Sequence, residues 1–387
     1  MAFSDYLCVY RQFFEEFAKS TELENHRPMR VNIYNLSIDE LVGEVMQSCV
    51  NFLTERRCPN CLVVHITKIV VGELLSEAKK QPEEVNDPLK LNRKTFDKIR
   101  EVCLRYTDNE KLSSLPGPVH ETQFSTHATK HTRRRMEDRN ICLPRFNTLH
   151  GIQSNSEAEY YGVFDGHAGV NAACYSVSHL HQFLAESQFY PDNPVEAFRE
   201  AYEKTDSRLN LKNEESGTAS LAILHQRNEK KLTVSWVGDS QALLVSEDSY
   251  VLLVDPHKPE RPDERKRIED LGGCILWSQD VCRVNGATAV SRALGDRKLK
   301  PFVCAEPEFR VVNLTGSEHF VVMGCDGLWD VVTPQQVLET VYFEVKQNEV
   351  NLYVGEGESE IWEVVTFKVK GYCSGELEGS MMNPIEI

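Results

Sequence analysis

The sequence predicts an α+β fold in two parts, a helical N-terminal region followed by a larger domain with antiparallel sheets. Apolar residues of the first part recur at three- and four-residue intervals, which is the period of an amphipathic helix. After residue 123 the pattern changes to short β-branched and aromatic runs bounded by Gly, Asp and Ser, as in strands. Helical stretches at 195–211 and 263–271 alternate with these runs, so the larger domain mixes both types of element.

Residues 1–112 form the predicted helical region. Its helices are predicted at 6–17, 36–53 and 63–75. Ser37, with Glu40 three residues later, has the spacing of a capping box at a helix start. Residues 113–123 have the Pro, Gly and Ser content of a linker, so we place the domain boundary there. The larger domain then occupies 124–387.

Charge and cysteine content narrow the class of protein. The chain of 387 residues has 43 Lys and Arg against 59 Asp and Glu, a net charge of -16, which disfavours nucleic acid as a partner. Its 12 cysteines are scattered through apolar stretches, as reduced core thiols are, so we expect the cytoplasm or the nucleus. We find no signal peptide and no membrane-spanning run, and expect no membrane partner.

Apolar strands of the larger domain repeatedly end in an aspartate beside a glycine. The runs YYGVF, LTVSWV and HFVVM lead into Asp165, Asp239 and Asp326, and RRRMEDR contains Glu137 and Asp138. Taken singly, each Asp with its Gly is a common turn sequence. Together they predict acids gathered in one cleft, where bound cations relieve their repulsion. Ligands that are all oxygen suit magnesium or manganese rather than zinc.

Such a site predicts phosphate hydrolysis. A pair of divalent ions generates hydroxide from water near neutral pH, and in-line attack on phosphorus needs that nucleophile. The reaction also needs a cation for the phosphoryl oxygens and an acid for the leaving alkoxide. Arg133 and His167 lie in suitable motifs. Without the acids, the same two residues would be read as a solvated basic turn and a structural histidine.

With these residues assembled, the sequence resembles the metal-dependent protein phosphatases, or type 2C serine/threonine phosphatases. It is most similar to the branch that acts on calcium/calmodulin-dependent protein kinases. The ordered motifs are TRRRMEDR, YYGVFDGHAGV, ESGTASLAIL, LTVSWVGDSQALLV, PHKPERPDERKRIEDLGG, RVNGATAVSRALGD and VVMGCDGLWDVV. The resemblance covers 122–341. It implies two stacked antiparallel sheets flanked by helices, an α-β-β-α sandwich, and a flap at 259–296 that borders the cleft.

The resemblance also implies a metal centre for Mg²⁺ or Mn²⁺, with two ions per site and a weaker third. By it, Asp165 bridges the two ions. The backbone carbonyl of Gly166 and the carboxylate of Glu137 serve one ion, with Asp138 beside them. Asp326 serves the other ion.

The remaining roles follow from the same resemblance. Asp239, with Asp326 and Asp330, frames the weaker third site. Arg133 holds the substrate phosphate, and His167 is the general acid toward the leaving group. Phosphorylated proteins, including protein kinases, are the implied substrates, and signalling is the implied context.

The sequence departs from the family near its end. In the family a late aspartate, in an Asp-Asn pair, completes the site that Asp326 serves, but no aspartate follows Asp330 here. The tail 342–387 is divergent, although 362–370 alternates as a strand does. The acids that could substitute are Glu349, Glu358, Glu360 and Glu363. Two hypotheses remain: an active protein serine/threonine phosphatase, or a weakened or inactive protein that keeps the fold and binds phosphoproteins.

Overall fold

Helices precede the sheets along the chain. The computed structural model describes residues 5–23, 34–80, 87–119, 122–130, 133–154, 156–212, 214–246, 249–278, 280–347 and 363–369. The first helices are α1 (Asp5–Leu23), α2 (Leu41–Glu55), α3 (Asn60–Ala78), α4 (Pro88–Arg105) and α5 (Asn109–Leu112). Helix α4 starts where Pro88 takes the first position and the Asp87 carboxylate accepts the Leu89 N–H at 2.9 Å. The Glu40 carboxylate accepts the Ser37 N–H at 2.8 Å, which is half of the predicted capping box.

Two sheets and a separate hairpin follow. In spatial order, the strands of the first sheet are β1 (Gln123–Thr129), β13 (Glu363–Val369), β12 (Glu318–Gly324), β6 (Gln241–Ser246) and β7 (Ser249–Leu252). Those of the second are β11 (Glu308–Asn313), β5 (Lys231–Val237), β4 (Gly217–Gln226), β3 (Ala158–His167) and β2 (Arg139–Leu143), with β10 (Leu294–Gly295) beside β4. The hairpin consists of β8 (Ile275–Ser278) and β9 (Val281–Val284), within the predicted flap.

The sheets are stacked, with helices on both outer faces. The later helices are α6 (Phe146–His150), α7 (Asn171–Glu186), α8 (Pro194–Leu211), α9 (Pro262–Asp270), α10 (Asp326–Trp329) and α11 (Pro334–Gln347). Tyr161 of the second sheet and Leu244 of the first share one apolar cluster between the sheets. Phe164 packs toward α7 and α8, whereas Val322 packs with Leu338 of α11. Burial of each large apolar side chain contributes roughly 1.5–3 kcal/mol. The predicted fold class is confirmed.

The first sheet is not purely antiparallel, because β13 runs parallel to both β1 and β12. Parallel neighbours need a long crossover connection, and here helices α10 and α11 lie between β12 and β13 in the sequence. The strand predicted at 362–370 is therefore present, and it completes the sheet. Periodicity alone could not predict its direction.

The register of β13 excludes one of the substitute metal ligands. Glu363 pairs with Phe320, at the start of β12, whereas Asp326 follows Gly324 at the other end of that strand. Four residues along a strand separate positions by about 13 Å, which is beyond the reach of a glutamate side chain. Of the four acids that could substitute for the late aspartate, Glu363 is therefore excluded by the position of its backbone. Glu349, Glu358 and Glu360 lie outside the described residues.

Helix α2 of the N-terminal region packs against α7 of the larger domain. The Gly43 N–H donates to Gln182 Oε1 at 3.0 Å, and a Cβ on Gly43 would lie 2.5 Å from that oxygen. His179 Nε2 lies 3.1 Å from Glu44 Oε1, and both side chains are buried. A close helix contact that only glycine allows, with buried polar pairs beside it, fixes how the two helices meet. The domain boundaries at 112 and 123 stay a prediction.

A buried carboxylate lies at the edge of this contact. Lys212 Nζ lies 2.8 Å from Glu40 Oε2, and the Tyr175 hydroxyl donates to Glu40 Oε1 at 2.5 Å. Burial alone would raise the pKa of Glu40, but hydrogen bonds from Lys212, Ser37 and Tyr175 outweigh it and lower this pKa to about 2. The ionised form therefore helps to hold the N-terminal region on the larger domain.

Candidate active site

Two strand ends, one from each sheet, bring predicted metal ligands together. Asp165 lies near the end of β3, and Asp326 follows β12 directly after Cys325. The carboxylate oxygens of Asp165 and Asp326 and the sulfur of Cys325 all lie within 4.8 Å of one another. Burial raises the pKa of the Cys325 thiol, and the charges of Asp165 and Asp138 raise it further. The thiol therefore stays neutral beside two acids.

Two further predicted acids interact electrostatically with Asp326. Asp239 follows β5 after Gly238, which has φ of 94°, and its side chain is buried. Burial raises the pKa of Asp239; the ammonium of Lys258 opposes this, and the charge of Asp326 adds to it. The pKa of Asp330 is raised by burial and by Asp326 and Asp239, again against Lys258. The cluster thus holds more negative charge than its surroundings balance.

Lys258 is a member of this cluster that the sequence analysis missed. Its ammonium donates to the Asp239 carboxylate in a close ion pair. The residue lies in the quoted motif PHKPERPDERKRIEDLGG, on the loop that precedes α9. A lysine in a motif that borders an acidic cleft was the available signal.

The segment before β2 lies against the strand that carries Asp165. A Cβ on Gly166 would lie 2.5 Å from the backbone oxygen of Glu137, so the two backbones approach as only glycine permits. Asp138 is buried, and its charge contributes to the raised pKa of Cys325. The structure therefore places the backbone of Glu137 against Gly166, which follows Asp165, and places Asp138 near enough to Cys325 to affect its pKa.

Arg133 makes no side-chain hydrogen bond or ion pair with the acid cluster among the described residues. Its side chain is exposed, as are those of Arg134 and Arg135, in the short segment between β1 and β2. An exposed guanidinium four residues before Glu137 remains free to meet a ligand from solvent. Its predicted role as the phosphate-binding group stays a prediction.

His167 has a partner that the sequence analysis missed. Its Nε2–H donates to Asp296 Oδ2 at 2.7 Å, and the Asp296 side chain is only 4% exposed. Asp296 follows Gly295 at the end of β10, so it has the same signal, an aspartate beside a glycine at a strand end, that predicted the other acids. The two residues are 129 positions apart, which is why no local pattern joined them.

A family comparison gives this geometry a context. The model of the protein phosphatase 2C family matches residues 122–356 of the chain, which is more than half of it. The chain belongs to the protein phosphatase 2C family. The matched segment contains the acid cluster, Arg133 and the His167–Asp296 pair. Members of this family are metal-dependent.

Related proteins agree with this membership. Human protein phosphatase 1E is 36% identical over 325 residues, which cover 80% of this chain and 42% of that protein. Mouse protein phosphatase 1F is 35% identical over 362 residues, which cover 88% of this chain and 79% of that protein. The chain therefore spans less than half the length of protein phosphatase 1E.

Solved structures share the fold. The structure of a C. elegans sex-determining protein has a TM-score of 0.71 at 20% identity, covering 88% of this chain and 86% of that chain. The crystal structure of serine-threonine phosphatase 2C from Toxoplasma gondii has a TM-score of 0.50 at 22% identity, covering 56% of this chain and 81% of that chain. The first likeness extends beyond the sandwich, because its coverage of this chain exceeds the share matched by the family model.

The residues present fit divalent cations. Asp165 and Asp239 are buried carboxylates, and Asp326 is half-buried beside them. Burial raises the pKa of Asp239 and the charge of Asp326 raises it further, and a bound cation would favour the ionised form against both effects. Hard oxygen donors match magnesium and manganese. The one soft atom of the cluster, the Cys325 sulfur, belongs to a thiol whose raised pKa keeps it from competing as a thiolate.

Proposed function

We propose that the chain is a protein serine/threonine phosphatase that hydrolyses phosphoserine and phosphothreonine in proteins with a metal-activated water. The observation that carries the proposal is the convergence of Asp165 and Asp326 from two stacked sheets, within a chain of this family. When bound, divalent ions supply hydroxide near neutral pH and neutralise charge on the phosphoryl oxygens.

The acids divide into two groups in this proposal. Asp165, Glu137 and the carbonyl of Gly166 hold one magnesium or manganese ion, and Asp165 with Asp326 holds a second. Asp138, which is buried, orients the ligands of the first ion. Carboxylates that repel one another before a cation binds favour its entry.

The second group holds a weaker third ion between Asp239, Asp326 and Asp330. Their affinity for it is low because the Lys258 ammonium, in an ion pair with Asp239, competes with the cation. Arg133 binds the substrate phosphate from its exposed position, and His167 protonates the leaving alkoxide.

The test is hydrolysis by the purified chain with Mn²⁺ or with a chelator. We expect turnover of a phosphothreonine peptide and of p-nitrophenyl phosphate only with the metal, and its loss in Asp326→Asn. Asp192→Asn is the matched control, since Asp192 is an exposed aspartate outside the cluster. Metal-independent turnover, or equal activity in the two variants, would contradict the proposal.

Substrates and location are parts of the same proposal. We infer phosphorylated signalling proteins, including protein kinases, as substrates, supported by similarity to protein phosphatases 1E and 1F. No disulfide bond joins the cysteines of the described residues, which supports the cytoplasm or the nucleus. None of the helices in the described parts of the chain has both the length and the hydrophobicity to cross a lipid bilayer. In those parts, nothing favours the alternative of an inactive binding protein.

A further inference from the structure

The His167–Asp296 pair carries an inference beyond the roles proposed above. We propose that Asp296 is a positioning residue that holds the His167 ring for proton donation to the leaving group. The inference rests on the proposed function, and it adds a residue to which the sequence analysis assigned no role.

The geometry of the pair is that of a buried orienting carboxylate. His167 Nε2 and Asp296 Oδ2 are 2.7 Å apart, within the range of a charge-assisted hydrogen bond. The aspartate side chain is 4% exposed and the histidine side chain 31% exposed. The carboxylate is therefore inside the protein, and the ring lies between it and solvent.

The strand register explains how residues so distant in sequence meet. Gly217 of β4 pairs with His167 of β3 on one side and with Gly295 of β10 on the other. A Cβ on Gly217 would lie 2.5 Å from Cγ of Asp296 and nearer still to Nε2 of His167. Gly217 has no side chain, and this leaves the space in which the His167 ring and the Asp296 carboxylate meet.

The backbone holds Asp296 in an unusual conformation. Its φ is 50°, in the left-handed region, where Asp is tolerated better than most residues. The Asp296 N–H donates to the Ser216 carbonyl at 3.1 Å, and the Asp296 carbonyl accepts the Leu299 N–H at 2.8 Å. The preceding Gly295 N–H donates to Asp206 Oδ1 at 2.8 Å. Strained backbone that the surroundings fix on both sides is typical of functional positions.

The pairing decides which ring nitrogen can act. A carboxylate only accepts hydrogen bonds, so Nε2 keeps its proton and Nδ1 remains to donate. As the phosphorus–oxygen bond to the substrate breaks, the Nδ1 proton moves to the leaving oxygen and an alcohol departs. Water supplies the hydroxyl that phosphorus gains, and its second proton restores Nδ1. Asp296 accepts the Nε2–H throughout and keeps the ring oriented toward the leaving group.

The first test uses the leaving group. An alkoxide needs protonation far more than p-nitrophenolate does, so a defect in the acid is seen mainly with the phosphothreonine peptide. We expect Asp296→Asn to lower kcat about 10- to 100-fold for the peptide and less than about threefold for p-nitrophenyl phosphate. Asp296→Asn added to His167→Gln should cause no further loss, because both changes disable one unit.

Asp206→Asn is the matched control. Asp206 contacts Gly295 and Lys300 in the same corner, and no contact of its carboxylate with His167 is found among the described residues. Any loss that follows from disturbing this corner should be equal for the two substrates. Equal losses in Asp296→Asn, or full additivity with His167→Gln, would show that Asp296 only supports the fold and would overturn the inference.

The second test needs no turnover. In protein with ¹⁵N-labelled histidine, the His167 ring is assigned by its loss in His167→Gln. We expect a proton on Nε2 in the wild-type protein, and altered Nε2 signals in Asp296→Ala. An unprotonated Nε2, or a spectrum unchanged in Asp296→Ala, would overturn the pairing. Wild-type protein that hydrolyses neither substrate would instead overturn the proposed function and the catalytic role with it.

Discussion

Replacing Glu40 by Gln should weaken the contact between the N-terminal region and the larger domain, and so lower the free energy of unfolding. The buried Glu40 carboxylate pairs with Lys212 at 2.8 Å, and its pKa falls from an ordinary 4.5 to about 2. At about 1.4 kcal/mol per pH unit, the ionised form contributes on the order of 3 kcal/mol to stability at neutral pH. Glutamine keeps the volume and loses the charge, which leaves the Lys212 ammonium without a charged partner at this position.

The pH dependence has a definite sign. Because the folded-state pKa is the lower one, the contribution is fully present above about pH 4.5 and is lost as the pH falls toward 2. Urea unfolding of the wild-type and Glu40→Gln proteins should therefore differ by about 3 kcal/mol at pH 7. The difference should shrink between pH 4.5 and 3.

Glu101→Gln is the control for this measurement. Glu101 also pairs with basic residues, Lys98 and Arg105, but its side chain is 54% exposed, so solvent screens the pairs. We expect a change within about 0.5 kcal/mol. If Glu40→Gln is no more destabilising than Glu101→Gln, or if its effect does not depend on pH, the buried ion pair does not hold the two regions together.

Three further changes probe the site. Asp326→Ala should lower metal-stimulated turnover about a thousandfold or more, because it removes charge where the nucleophile forms; activity near wild type would contradict the metal site. Lys258→Met should lower the calorimetric Kd for Mn²⁺ at Asp239 about tenfold, since no ammonium then competes there; an unchanged Kd would refute that competition. Gly217→Ala should displace the His167 ring, and kcat should fall more for a phosphothreonine peptide than for p-nitrophenyl phosphate; equal losses would place the damage elsewhere.

Features that depend only on neighbouring residues could be predicted from the sequence. The strand before Asp165 and the start of a helical segment near Ser37 depend on neighbouring residues, and the sequence shows both. The gathering of Asp165 and Asp326 could also be inferred, because strand ends of stacked sheets share an edge. The resemblance supplied the sandwich and the residue roles; the sandwich is confirmed, and the roles stay predictions.

Contacts between residues far apart in the sequence could be identified only from the structure. Asp296 follows a strand of only two residues, which is too short to be recognised from the sequence, so its pairing with His167 could not be predicted. The direction of β13 depends on where a connection with two helices leads the chain, which periodicity does not encode. The Glu44–His179 contact likewise depends on the docking of α2 on α7, which no local pattern of either helix predicts.

The position of β13 has a consequence for how the chain reaches its fold. This strand lies between β1 and β12, so the first strand of the sandwich joins its sheet only beside a strand more than 230 residues later. During synthesis, the backbone groups of β1 and of one edge of β12 stay unpaired until residues 363–369 have left the ribosome. Exposed strand edges invite pairing with other chains. A chain interrupted before residue 363 should therefore aggregate rather than remain a smaller folded protein.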